Sequence, residues 1–250
     1  MSSKAQRRSE AITQRKRAAD AAAARQRRNR WLLWGGVAAV VAIAAIVAVV
    51  ASGGGDDQAA KATTFETGKV TVSGTPLPQY DGQKYSGNDN DPAIGTTIPT
   101  LSGESVFDGK PVTVKPNGKP QMVVFVAHWC PHCQAEIPRL VELVKQGVFD
   151  GVDVTAVATG TNVDADNYPP SAWLKREHWP FAVMADTSAG TAADAYGISA
   201  YPYFVLVNAD GTVAGRATGE VSPEQITANI EALKAGKSLP LLTSGASSAS

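Results

Sequence analysis

The 250-residue sequence predicts an α/β fold, a mixed central sheet flanked by helices and preceded by one transmembrane helix. Three observations predict it. Apolar runs rich in β-branched residues, such as Met122–Ala127 and Val152–Ala158, alternate with stretches of helical periodicity. Towards the C-terminus two apolar runs are joined by a turn and followed by a capped helix. Far upstream lies a long run with no charge at all. Strands and helices in that order bury a shared core as a sheet of mixed strand direction with helices against it.

The N-terminal 51 residues read as a membrane lead. Residues 1–30 hold ten Lys and Arg against Glu10 and Asp20, about +8, and a chain that is neutral in total therefore carries about −8 elsewhere. Trp31–Ala51 follows, 21 residues without a charge. As a helix it reaches about 30 Å, the thickness of a bilayer core. Trp31 and Trp34 suit the membrane interface, and the basic side belongs in the cytoplasm. A cleaved signal peptide is the competing reading. The apolar run is long for one, the basic lead is very long, and Ala48-Val49-Val50-Ala51 is not an A-x-A site. The expectation is a single-pass anchor in the cell membrane, with the N-terminus cytoplasmic and the rest extracytoplasmic. The basic tail fixes topology and meets anionic lipid. No aromatic residues interleave its charges and no binding motif is present, so no nucleic-acid partner is expected.

Residues 52–90 read as a linker and irregular N-terminal extension, Gly/Asp/Ala-rich at first and then full of Pro, Gly, Asn and Asp. Within it Lys69–Ser73 alternates as a short strand would. The folded domain is expected over 91–236, with 237–250 a flexible tail. Pro111–Lys115 reads as a strand and Asn117-Gly118 as a turn. Met122–Ala127 is the first central strand. Pro131–Gln146 is a helix whose Ile137, Leu140, Val141 and Val144 share one apolar face, with Pro138 kinking it. Val152–Ala158 is the second central strand. Pro170–His178 is a short helix with proline at its start, Phe181–Met184 a short strand, and Ser188–Tyr196 an Ala-rich helix closed by Gly197. Tyr203–Asn208 and Thr212–Arg216 form a hairpin through Asn208-Ala209-Asp210-Gly211. Ser222-Pro223-Glu224-Gln225 opens the last helix as a capping box.

The chemistry concentrates in Trp129-Cys130-Pro131-His132-Cys133, which holds both cysteines of the chain. A Cys-x-x-Cys between a strand and a helix is a redox motif with a mechanism. The first cysteine stands at the helix N-terminus, where unsatisfied N–H groups and the helix dipole favour the thiolate, the attacking species in disulfide exchange. His132, when protonated, adds positive charge there and makes the oxidised pair a stronger oxidant. A structural disulfide is the bland alternative, but a bridge over two residues closes too small a loop to stabilise much. A Cys₂His₂ metal cluster with His128 and His132 demands a very contorted chain for tetrahedral geometry, so no metal and no cofactor is expected. His178 reads as a packed or surface residue, and the Trp173 and Trp179 region as a helix packed on the sheet, with a substrate face as the alternative. Trp129 either shields the site or belongs to the core.

These residues resemble the thioredoxin superfamily over roughly 92–236. Trp129-Cys130-Pro131-His132-Cys133 matches its active-site pattern, and Pro138 matches the proline that kinks its first active-site helix. Tyr196 to Gly211 is similar to the segment carrying its cis-proline, placed at Pro202. Gly95-Thr96-Thr97-Ile98-Pro99 with Asp108-Gly109-Lys110 resembles the membrane-tethered, TlpA-like branch, whereas Pro131-His132 is the pair of DsbA-type oxidants. The resemblance implies a thioredoxin fold with Cys130 attacking and Cys133 resolving. It also implies Trp129, Pro131, His132 and Pro202 as active-site support, and Tyr201 in contact with the bound substrate. One position departs from it: thioredoxins carry a buried acid six residues before the first cysteine, and here Val124 stands there.

The expected function is a bacterial, extracytoplasmic, membrane-anchored thiol–disulfide oxidoreductase. It exchanges disulfides with protein substrates and is recharged by a membrane redox partner, because no third cysteine supplies an internal relay. The direction, oxidant or reductase, stays open. The alternative is a redox-inactive or metallochaperone-like binding module on the same fold. A peroxidase is disfavoured because Val126-Ala127-His128 lacks the Pro and Thr/Ser that a peroxidatic cysteine needs.

Overall fold

In the computed structural model, which describes residues 66–82, 84–85 and 90–240, the chain is organised around β4 (Gln121–Val126), all six of whose residues are buried. Its apolar run, Met122–Val126, is what a strand covered on both faces requires, and the buried Gln121 at its start donates to Lys115 O at 2.9 Å. β4 is the middle of a five-stranded sheet. It pairs in parallel with β5 (Asp153–Ala158) and antiparallel with β7 (Tyr203–Val207). β6 (Ala182–Ala185) and β8 (Val213–Thr218) complete the two sides. A second, three-stranded antiparallel sheet is made by β1 (Thr71–Ser73), β2 (Thr100–Glu104) and β3 (Pro111–Val114). Single bridges, Thr97 to Thr212 and Ser105 to Met184, tie its connections to the main sheet.

Alternation along β4 builds two cores. Met122, Val124 and Val126 face α1 (Pro131–Lys145), α2 (Pro170–Arg176) and α4 (Pro223–Lys234), through Ile137, Leu140, Trp173, Leu174, Ile226 and Ile230. Val123 and Phe125 face the opposite way, among Leu77, Tyr80, Tyr196 and Tyr203, beside α3 (Thr191–Ala195). Each of these side chains contributes about 1.5–3 kcal/mol by leaving water. Trp173 and Trp179 are both packing residues, buried in the first core.

The described elements follow the sequence pattern closely, and three differences have physical causes. α3 begins at Thr191 rather than Ser188, because Gly190 takes a left-handed φ of 78° at its N-cap and Asp186 accepts the Ala192 and Ala193 N–H groups at 2.8 and 3.1 Å. β2 was not foreseen: Thr-Leu-Ser-Gly-Glu is too short and polar to read as a strand, and only its partners define it. The packed unit also reaches further back than Asp91. Leu77 and Tyr80 donate backbone N–H groups to Ala195 and Gly197. A Cβ on Gly197 would stand 2.3 Å from the Pro78 carbonyl oxygen, so glycine is what lets this segment approach. Asp91 is buried in an ion pair with Arg216, whose guanidinium also donates to Pro78 O and Tyr203 Oη at 2.7 and 3.0 Å.

The expected basic tail and the expected anchor, Trp31–Ala51, lie outside the described residues. Among the described residues no helix is long and apolar enough to cross a membrane.

Candidate active site

β4 delivers the chain to Cys130, and α1 leaves from it. Cys130 is the N-cap of α1 in an extended conformation, with Pro131 at the first helical position, where a missing N–H costs nothing. The Cys130 amide donates to Ala127 O, and its carbonyl accepts from Gln134 N, both at 3.0 Å. Both cysteines are free and buried, Cys130 at 7% exposure and Cys133 fully covered. The sulfur nearer to solvent is therefore the one that a second molecule meets first. Burial pushes the Cys133 thiol up, partly offset by a hydrogen bond at Ala127.

The predicted site residues converge. The Tyr201–Pro202 peptide bond is cis. The Cys130 thiol lies 3.8 Å from the Tyr201 carbonyl oxygen, which brings the Tyr201–Pro202 step, just ahead of β7, to the sulfur. Trp129 is no core residue: it is 39% exposed, its indole N–H donates to Gly160 O at 2.7 Å, and its ring meets Tyr201 edge-on at 5.9 Å. Gly160 takes φ +58°, and a Cβ there would press on the Tyr201 hydroxyl at 3.1 Å.

His132 is exposed and turned towards Glu220, with Nδ1 2.7 Å from Oε1. Arg139 donates to the other Glu220 oxygen at 2.5 Å. The positive charge expected to act on the cysteines is thus matched by a carboxylate, which the His132 hydrogen bond holds below the usual carboxylate range. His128 is buried and faces away into the chain after β5. Its Nε2 accepts the Asn162 N–H at 3.1 Å, which leaves the proton on Nδ1 to donate to Asp166 O at 2.7 Å. Both ring nitrogens are used by backbone, so His128 is not turned to a shared centre with the cysteines. Among the described residues no group of three or more His, Cys, Asp or Glu side chains is placed to hold a metal ion.

Sequence reasoning missed Glu136. Val124 is apolar and fully buried, as its sequence reads. A carboxyl nevertheless enters the same region from α1, one turn after Cys133. Glu136 is 1% exposed, and burial pushes it up to about 7. The Val221 N–H and the Arg139 guanidinium each donate to it at 3.4 Å. Its negative charge is felt at Cys133. The signal was present: Cys133, Glu136, Ile137 and Leu140 fall at 3, 4 and 7 residue steps, so a lone acid shares the buried stripe of α1. A carboxyl that burial pushes towards neutrality, one turn along the helix from a buried thiol, has the proton affinity that a general acid or base for that thiol needs.

The comparisons agree with this geometry. The Redoxin family matches residues 93–233. The thiol:disulfide interchange protein DsbE of Pseudomonas aeruginosa is 31% identical over 130 residues, which cover 51% of this chain and 68% of that one. The soluble secreted antigen MPT53 of Mycobacterium tuberculosis is 28% identical over 145 residues, 57% of this chain and 77% of that one. Among solved structures, an uncharacterized conserved protein from Geobacillus kaustophilus superposes with a TM-score of 0.50 at 23% identity, over 60% of this chain and 87% of that one, a likeness of fold. The chain belongs to the Redoxin family, with a thioredoxin-like fold and the activity of a thiol–disulfide oxidoreductase.

Proposed function

We propose that the chain is a membrane-anchored, extracytoplasmic oxidoreductase that exchanges disulfides with proteins through Cys130 and Cys133. The observation that carries the reading is the inequality of the two sulfurs. Cys130 stands at a helix N-terminus beside Tyr201 and Pro202, and Cys133 lies one turn inside, next to a buried carboxyl.

In the oxidising direction a substrate thiolate attacks Cys130 Sγ of the Cys130–Cys133 disulfide. The S–S bond breaks, and Cys133 leaves with the electron pair and takes a proton from Glu136. A second substrate thiolate then attacks the substrate sulfur of the mixed disulfide, and Cys130 leaves as thiolate. The substrate loses two electrons and the cysteine pair gains them. The reducing direction is the same path reversed, with Glu136 accepting the Cys133 proton. Net direction follows from the potential of the pair against its partners. The Glu220 carboxylate answers the charge of His132, which weakens the sequence argument for a strong oxidant.

Anchoring and location rest on the sequence: an uncharged span behind a basic lead, and a disulfide chemistry suited to an oxidising compartment. A membrane redox partner is inferred because Cys130 and Cys133 are the only cysteines of the chain.

The test is a pair of variants in the full chain. Cys133→Ala is expected to trap mixed disulfides with proteins through Cys130, and Cys130→Ser to trap none and exchange none. Trapping through Cys133 in the Cys130→Ser chain would overturn the assignment of roles. A Cys130→Ser chain that exchanges nothing and yet still supports the protein's function in the cell would favour the binding-module alternative.

A further inference from the structure

The segment between β5 and α2, residues 159–169, is longer than the roughly 2–6 residues usual for such a connection. It is also held in place. Gly160 O accepts from the Trp129 indole, and Thr161 donates to Glu66 O at 3.4 Å. His128 holds Asn162 and Asp166, and Arg176 donates to the Asn167 side chain at 2.5 Å. Between these points lies an apex turned largely to solvent: Val163 is 65% exposed. Tyr168, at 38%, lies edge-on to His128 with ring centres 5.9 Å apart. Among the described residues the exposed large apolar side chains are Trp129, Val163 and Tyr168. One is the neighbour of Cys130, and the other two lie on the segment tied to Trp129 and His128. The same segment exposes Asp164 and Asp166, whose carboxylates pair with no cation among the described residues.

We propose that the β5–α2 segment is the docking wall for the polypeptide that exchanges at Cys130, and that it takes an extended segment with an apolar side chain beside its cysteine and a lysine or arginine within a few residues. The proposal rests on the oxidoreductase reading above. The chemistry of the occupant follows from what the wall offers. Val163 and Tyr168 supply apolar area on the segment that accepts the indole N–H of Trp129, the exposed neighbour of Cys130. Asp164 and Asp166 supply negative charge that no ion pair among the described residues neutralises, which steers a basic partner and repels an acidic one. The hydrogen bonds at both ends of the segment fix the wall in advance, so ordering it takes little from binding. His128 is then a positioning residue: it touches no sulfur, and its neutral Nδ1–H form holds the wall by two backbone bonds.

The experiment uses the reduced full-length chain in detergent micelles and three disulfides. These are glutathione disulfide and the symmetric disulfides of Gly-Leu-Cys-Gly-Lys and Gly-Ser-Cys-Gly-Glu. The expected result for the wild-type chain is a preference for the Leu/Lys peptide over the Ser/Glu peptide of about tenfold. In Val163→Ser with Tyr168→Ser that preference falls to about twofold, and the ratio of the Leu/Lys rate to the glutathione rate falls with it. In Asp164→Asn with Asp166→Asn the part of the preference that salt screens away is lost. Equal rates with the two peptides in the wild-type chain, or a preference that survives both double variants, overturns the proposal and leaves the oxidoreductase reading standing. A wild-type chain that reduces none of the three disulfides and that, when oxidised, is reduced by none of the corresponding thiols overturns that reading and the docking proposal together.

Discussion

His132, between the two cysteines, is hydrogen-bonded to Glu220, a residue 88 positions later in the chain. Glu220 in turn binds Arg139, and Arg139 binds the buried Glu136. The residue that the sequence credits with tuning Cys130 is therefore the outer end of a line of charges that runs to the neighbour of Cys133.

The first prediction concerns the potential of the pair. Removing an imidazolium removes stabilisation of a nearby thiolate and makes the pair less oxidising. With Glu220 present most of that effect is already cancelled. At pH 6, His132→Ala is expected to lower the potential by less than about 15 mV, and by about 30 mV in the Glu220→Gln chain. Equilibration with glutathione reads it. Equal shifts in the two backgrounds would show that Glu220 does not screen His132.

Glu136→Gln should separate the two steps of exchange. In the reducing direction, attack by Cys130 on a substrate disulfide passes no proton through Glu136, whereas resolution by Cys133 must unload a thiol that burial keeps protonated. Resolution of the mixed disulfide is expected to slow roughly 10²-fold, the size of a lost general base. Quenched-flow trapping of the mixed disulfide measures it. A variant that resolves at the wild-type rate would remove Glu136 from the mechanism.

The same substitution changes stability with pH. Glu136 titrates at about 7 when folded, chiefly because it is buried, against an ordinary carboxyl value of 4.5 when unfolded. Below the unfolded value both states are protonated and the group contributes nothing. Between 4.5 and 7 only the unfolded chain ionises, so stability falls as pH rises, and the loss is complete above 7. That loss is on the order of 3 kcal/mol. Denaturant titrations of the wild-type chain should show it between pH 4 and 8, and Glu136→Gln should flatten the profile.

The buried pair of Asp91 and Arg216 yields the last prediction. Asp91→Asn leaves a covered guanidinium without its counter-charge and should cost about 3–5 kcal/mol. Asp108→Asn, which breaks an exposed pair with Lys110, should leave the melting temperature nearly unchanged. Similar losses in the two variants would mean that burial does not set the worth of these pairs.

The parts of the fold legible in the sequence were those with a strong local cause. β4 carries the apolar run Met122–Val126, α4 opens on Ser222 accepting the Gln225 N–H at 3.3 Å, and the turn at Asn208–Gly211 joins β7 to β8. The cysteines, Trp129 and Pro202 were legible as a pattern, and they meet in space. Glu136 was not, because its carboxyl acquires meaning only when α1 is laid against β4 and Val221. Nor was the work of His128, whose partners Asn162 and Asp166 lie 34 and 38 residues away. The contribution of residues 66–82 was hidden for a similar reason. Their irregular composition gives no periodicity, and Tyr80 finds its place by lying under the Arg216 guanidinium, 5.1 Å from its ring centre.

Glu66 carries a consequence for anyone who shortens this chain. Its carboxylate accepts from both the Ser171 amide and the Ser171 hydroxyl, a hundred residues downstream, at the opening of α2. A fragment that begins at Asp91 would therefore lose the plug at α2, the cover over Phe125 and Tyr203, and the Glu66 carbonyl that holds Thr161. Cysteine reactivity measured on such a fragment would report a site with one wall unpinned, whereas a fragment that begins before Glu66 keeps the scaffold of the intact catalytic unit.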